Sequence, residues 1–429
     1  MAVKKTTILA WDDDPASVAR VKPARRPPAT LSRLKLPVVI SGKAPKAGVY
    51  AVGSDEFRHW TAADALARAV RFWAPLAPKR TKWQTGAKLP VQLNAGSDLN
   101  AYYARGGFDY DPGLSFFHYV VAGQDVYSGE SPDIATHELG HAMLDAIKPD
   151  LWDAASVEAA SFHESFGDIS AVLSGLQIPA LREAVLRDTD SRIHRSSRVS
   201  RLAEQMGWAV RQLDPGAAEA DCLRNAVNNF FYRDPDRLPP TSPAAQLSSE
   251  PHSFSRVFTG AFVEMLAGMF IVRGDLKAAA RDAGQILVDA IVAAPIVPNY
   301  FRQIATYCIR ADEKRFARKY RSVIQGGFVR RGILPLGFPK RVIGGGVRLR
   351  VIRGRSYGLT EPLMVLAPEQ HAAESFLDDL IQRGRVDMRA ARGNENAMVV
   401  QPFIRKTHIM VREGGKLVLR RRMFDCGFE

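Results

Sequence analysis

The clearest periodicity in the chain runs through Phe162, Phe166, Ile169, Leu173 and Leu176, spaced 4, 3, 4 and 3 residues apart. One face of a helix packed on a core has this spacing, so a helix is predicted over about 155–173. A second helix is predicted just before it, over 134–147, with Pro149 beyond its end. Upstream, Thr61 to Asp64 reads as a capping box with Asp in place of Glu. Leu66, Val70 and Trp73 then share one helical face, and Pro75 stops the helix. Further helical patterns fall at 196–213, 253–272, 276–293 and 299–322, and a Pro/Ser-rich loop at 238–251. Residues 91–93 read as a strand, and the aromatic, Gly-rich stretch 102–127 as short strands and turns. After about Leu336 the pattern changes to alternation, at 342–352, at 398–404 and around Gly414-Gly415. No internal repeat is seen.

The pattern therefore predicts an α+β protein in four parts. Residues 1–45, rich in Pro, Lys, Arg and Ala, are expected to be a leader or arm. Residues 46–175 form an N-terminal α/β lobe, 176–335 a helical lobe, and 336–429 a small basic α/β domain. The chain has 429 residues, 46% hydrophobic and 24% charged. This is ordinary globular composition and excludes collagen-like, coiled-coil and disordered classes. The net charge is +14, and from Glu313 onward there are 24 basic against 11 acidic residues. Nearly all the excess thus lies in the last part, which suggests an acidic partner for that domain. Nucleic acid is the weaker reading, because Arg348, Arg350, Arg353, Arg355 and Arg420 to Arg422 are not interleaved with stacking aromatics. Cys222, Cys308 and Cys426 form no C-x-x-C pair and no even framework. The start lacks the apolar core of a signal peptide, and the apolar run at 261–272 is short and holds Glu264, so no transmembrane segment is expected. A cytoplasmic location, or export without a recognisable signal, follows as the expectation.

The chemistry lies in the middle. His137-Glu138-Leu139-Gly140-His141 is H-E-x-x-H on a predicted helix. Residues i and i+4 share a helical face, so both imidazoles can reach one metal ion. A catalytic zinc needs a third protein ligand and an open position for water. The next helix offers Glu164 and Asp168, again i and i+4, at about 200° and 240° around the helix from Phe162. Glu164 fits as the third ligand and Asp168 as the acceptor that orients a ligand histidine. His163 is a rival ligand, placed about 100° from Glu164 beside Phe166, and reads better as a supporting or structural residue.

These motifs resemble the thermolysin family of zinc metallopeptidases, in which H-E-x-x-H is followed by E-x-x-x-D. The resemblance extends over about 45–335. Leu99-Asn100-Ala101-Tyr102-Tyr103 is similar to the family segment whose Asn and Ala hold the substrate backbone. Asp133 stands four residues before His137, as in the family. Leu223-Arg224 resembles the segment whose Arg contacts the substrate carbonyl. Pro251-His252-Ser253 opens the helix that carries the transition-state histidine, and Arg224 and His252 keep the family's spacing of 28. The stretch 297–311 resembles a late helix of the helical lobe. The resemblance implies a two-lobe fold with one Zn2+ per chain, held by His137, His141 and Glu164, and a peptide or protein substrate. It implies Glu138 as general base towards the zinc-activated water, His252 as oxyanion donor, and Asn100, Ala101 and Arg224 as substrate-positioning residues.

The departures are specific. His141 and Glu164 are 23 residues apart, three more than in the family. Trp152 stands where the family has an oxyanion-donating Tyr; an indole N–H can also donate, or the ring can serve as a pocket wall. Leu247 stands where the family's Asp orients the histidine, and Glu250 is the nearest acid. No acidic cluster for paired calcium is recognisable after Asp168, which argues against calcium dependence. The Trp152 and Leu247 departures also leave open a zinc-binding protein on a peptidase fold that has lost hydrolysis.

Overall fold

The computed structural model describes residues 6–16, 22–336, 345–389 and 405–426. Among these are ten α-helices and several small sheets, a mixed α+β structure. Helix α1 (Asp55–Trp73) starts six residues earlier than Thr61, because the Ser54 hydroxyl accepts from the Phe57 N–H and caps it. Helix α2 (Pro132–Ile147) is capped in the same way by Ser131, with Pro132 in its first turn. Helix α3 (Val157–Gly175) packs against both α1 and α2. Its predicted stripe is fully buried at Phe162, Phe166, Ile169 and Leu173, and so is its other face. Helices α4 (Pro179–Asp188) and α5 (Glu204–Leu213) follow. The helix expected from 196 begins only at Glu204, after a turn around Ser197–Ser200.

Helix α6 (Pro251–Arg273) lies across α3. It is long and apolar enough to cross a membrane, contrary to the expectation drawn from 261–272. Yet 72% of its apolar window is buried against the rest of the protein. Then come α7 (Leu276–Ala293), α8 (Tyr300–Phe316) and α9 (Arg321–Arg330). A single helix over 299–322 is not formed. Ala317 and Arg318 take left-handed backbone (φ 51° and 68°), and the Asp312 carboxylate accepts the Tyr320 N–H beyond the break. Helix α10 (Gln370–Gln382) belongs to the basic region.

Five strands form the sheet beside α2, in the order Met423–Asp425, Ala101–Ala104, Gly113–Phe116, Leu89–Gln92, Val38–Ile40. The first two and the second pair run antiparallel, and the others parallel. A second five-stranded sheet has the order Arg348–Ile352, Leu363–Ala367, Lys416–Arg421, His408–Glu413, Val386–Asp387. The strand expected at 398–404 lies outside the described residues.

Parts of the expected leader and of the basic region are built into the rest of the protein. Residues 6–16 are not a loose arm. Ile8 and Ala10 are fully buried against α1, and Asp14 accepts from the Ser131 hydroxyl and the Gln205 N–H. Val38–Ile40, also inside the expected leader, is an edge strand of the first sheet. The basic region builds the second sheet, but its last strand leaves it. Met423, Phe424 and Asp425 pair with Ala104, Tyr103 and Tyr102 in the first sheet instead. Its arginine triplet is drawn inward too. Arg420 pairs with Glu413 and Asp153, Arg421 donates to the Trp152 carbonyl, and Arg422 pairs with Asp387.

Candidate metal centre

The site is built where α2 meets α3, and the helices approach closely because glycines face each other. A Cβ on Gly140 would stand 2.7 Å from Ser170 Oγ and 2.9 Å from Gly167 Cα. A Cβ on Gly167 would stand 2.6–2.8 Å from three atoms of the His137 ring, so the bare backbone of α3 is the seat of that imidazole. His137, Glu138 and His141 are buried, and each offers a ligand atom within 4.8 Å of the others. Glu164 reaches in from α3, with Oε2 3.4 Å from His137 Nε2 and 3.6 Å from His141 Nε2.

His137 Nε2, His141 Nε2 and Glu164 Oε2 are all buried without a hydrogen-bond partner. Buried polar atoms are normally satisfied, so three converging orphans need an explanation. Ligands about 2.0–2.1 Å from a tetrahedral zinc stand about 3.3–3.4 Å apart, close to the separations seen here. The donor set of two imidazoles and one carboxylate fits zinc chemistry.

The supporting contacts fix the ring orientations. His137 Nδ1 lies 3.0 Å from Asp168 Oδ1, which also accepts from Arg224 at 3.2 Å. His141 Nδ1 lies 3.2 Å from His163 Nδ1. With Nε2 of His141 left for a metal, Nδ1–H is the donor and His163 the acceptor. His163 is thus a supporting residue, and it stacks on Phe424 at 3.8 Å. His252, from the first turn of α6, stands 3.1 Å from Glu164 Oε2. Its Nδ1 lies 2.8 Å from Glu250 Oε1, and Glu250 also caps α6 through the His252 and Ser253 N–H groups. The acid missing at Leu247 is therefore supplied three residues later.

Charge is arranged before any ion arrives. Burial alone would push Glu164 up, but His252, His141 and His137 outweigh it and hold the carboxyl well below its usual range. Burial lowers His137, yet the hydrogen bond to Asp168 and the nearby carboxylate of Glu164 raise it to about 9. Burial drives His141 down to about 3, the neutral form a metal ligand requires. Burial also lowers His252, but Glu164 and Glu250 hold it well above its usual value, so both its ring nitrogens are donors. Burial pushes Glu138 up to about 7, suited to proton transfer near neutral pH.

The remaining expected residues fall nearby. Asn100 is buried at the head of the strand Ala101–Ala104, and its Oδ1 accepts the Ala101 N–H. Arg224 is committed to Asp168, and its Nε is buried without a partner. Trp152 packs edge to face on Tyr103 and Phe424, with Arg105 over its ring. Larger clefts of about 550 and 680 Å3 elsewhere contain none of these residues. Two residues in the site were given no site role by the sequence reading: Asp425, and Cys426, which it names only as an unpaired cysteine. Cys426 Sγ lies 2.6 Å from Glu138 Oε1, and the Asp425 carbonyl 2.7 Å from His252 Nε2. Nothing local in the sequence marked them, since 288 positions separate Cys426 from Glu138. No family model matches the chain, and no curated protein matches it.

Proposed function

We propose that the protein is a zinc-dependent endopeptidase of the thermolysin type, with the site between the first sheet with α2 and α3 on one side and α6 on the other. The observation that carries this reading is the convergence of the buried Glu164 carboxylate on His137 Nε2 and His141 Nε2, beside a second buried carboxylate, Glu138. His137, His141 and Glu164 would hold a zinc ion, which would supply Lewis acidity towards a water and the scissile carbonyl. Glu138 takes the proton of the attacking water and delivers it to the leaving amine. His252, oriented by the contact of its Nδ1 with Glu250, donates through Nε2 to the oxyanion as charge develops there. Asn100 and the carbonyl of Ala101 hold the substrate backbone along the sheet edge. Arg224 and Asp168 keep His137 in its ligating orientation. Trp152 supplies an aromatic wall.

The test is hydrolysis of casein or a furylacryloyl peptide, with and without chelator, by the full chain and by Glu138→Gln. Chelator-sensitive cleavage that falls by about 10²–10⁴-fold in the variant is expected. Cleavage that survives both chelation and the substitution would refute the reading.

A further inference from the structure

The strand Ala101–Ala104 would be an edge of the first sheet if Met423–Asp425 did not cover it. Edge strands accept extended peptides, main chain to main chain. The segment 423–426 makes this addition, and its polar contacts coincide with the groups assigned above to substrate. The Cys426 N–H donates to the Ala101 carbonyl at 3.0 Å. Asn100 Nδ2 reaches Asp425 Oδ2 at 3.5 Å. His252 Nε2 donates to the Asp425 carbonyl at 2.7 Å, the contact expected of a scissile carbonyl. The thiol of Cys426 rests on Glu138, where the attacking water must lie.

We infer that residues 423–426 are a built-in pseudo-substrate that keeps the site latent, with the Cys426 sulfur as fourth zinc ligand in place of water. This rests on the peptidase reading above. The thiol is not the only feature pointing to a ligand, because the Glu138 carboxylate it touches belongs to the same site as His137 Nε2, His141 Nε2 and Glu164 Oε2, and these three atoms and Glu138 Oε2 are buried and unpartnered. The step balances: the S–H proton passes to Glu138, a sulfur–zinc bond forms, and one water leaves. Thiolate is a favourable zinc ligand. Seated against Glu138, the sulfur also occupies the place of the water that Glu138 would activate.

The segment is fastened at three further points. Arg385 pairs with Asp425 Oδ1 at 2.6 Å, with both groups buried. Phe424 stacks on His163 and His141 and lies under the Arg421 guanidinium. The cavity left among Glu164, His252, Phe424 and Asp425 holds about 30 Å3, too little for a peptide. Substrate must therefore displace the segment or wait for its removal.

Two measurements on the full chain test this. The first is the near-ultraviolet spectrum of the cobalt-substituted protein. A thiolate-to-cobalt charge-transfer band is expected in the wild type and absent in Cys426→Ser, with folding checked by circular dichroism. The second is kcat/KM on a furylacryloyl peptide, expected to rise at least about tenfold in Cys426→Ala and in Arg385→Ala, since release of strand addition and ligation frees the site. Identical cobalt spectra with unchanged kcat/KM would overturn the latency and leave the peptidase reading standing. Failure of every variant to bind cobalt or cleave peptide would overturn the peptidase reading, and the latency with it.

Discussion

Helix α2 touches two groups of buried carboxylates, and burial has opposite consequences in them. At its middle, Glu164 and Asp168 face His137, His141, His252 and Arg224, and both carboxyls are held below their usual range against the push of burial. At its N-terminus, Asp133 faces Asp13, Asp14 and Glu204. There burial and the neighbouring acids act together. Asp133 is raised well above its ordinary value, and Asp13 rises to about 7. Depth in the protein does not decide the charge of a carboxyl; the sign of its neighbours does. In the first group the carboxyls are pushed towards their ionised form, whereas in the second Asp133 and Asp13 are pushed towards their protonated form.

The largest effect that bears on this contrast comes from removing a member of the first group. Glu164→Ala should abolish tight zinc binding, because two imidazoles alone remain. Activity should fall with it by several orders of magnitude, which inductively coupled plasma analysis and a peptidase assay would measure together. A variant that still holds one equivalent of zinc would remove Glu164 from the ligand set. Next in size is the seat of His137. In Gly167→Ala the added methyl meets the imidazole ring at 2.6–2.8 Å, so His137 must shift from the metal. Zinc affinity should drop by about 10–100-fold, as for other losses of ligand orientation. Chelator competition would read it, and unchanged affinity would show that the ring has room to move.

Smaller again is the effect at Trp152. Its contacts are ring contacts, with Tyr103, Phe424 and Arg105. Trp152→Phe keeps a ring there, so kcat should stay within about threefold of wild type, whereas loss of an oxyanion donor lowers kcat by about 10²–10³. A fall of that larger size would restore the donor role. The smallest expected effect is in the second group and is a matter of pH. A carboxyl whose native pKa lies above its unfolded value of about 3.9 binds more protons when folded. Its stabilising contribution is complete below that value and is lost as pH rises through about 7. Thermal melts should therefore show wild type losing about 2–4 °C more than Asp13→Asn between pH 5 and pH 8. Parallel curves would mean that Asp13 is not protonated in the folded chain.

What was legible in the sequence follows from distance along the chain. H-E-x-x-H and E-x-x-x-D each lie within one helix, where a spacing of four fixes a shared face. Their partnership could be argued from adjacent helices. Glu250 could be noticed as the nearest acid to His252, but not its hydrogen bond, which depends on how α6 begins. Asp12 to Asp14 lacks the spacing of a calcium loop, and no role could be read for Asp13 and Asp14 because the groups they face, Ser131 and Glu204, are over a hundred positions away. Cys426 and Asp425 were still less visible. The strand that ends at Asp425, just before Cys426, is three residues long, and nothing in its pattern says which of two sheets it joins. The break between α8 and α9 was missed because Ala317 and Arg318 are residues that favour helix, and the Asp312 to Tyr320 contact overrides them.

On the proposed reading, His137, His141 and Glu164 together hold one zinc ion. Metal analysis of the full chain, purified without chelator, beside His141→Ala, decides it. The account predicts about one equivalent of zinc per wild-type chain, removable by chelator and restored on adding zinc, and none in the variant. A folded wild-type protein that is metal-free and takes up no zinc would contradict it.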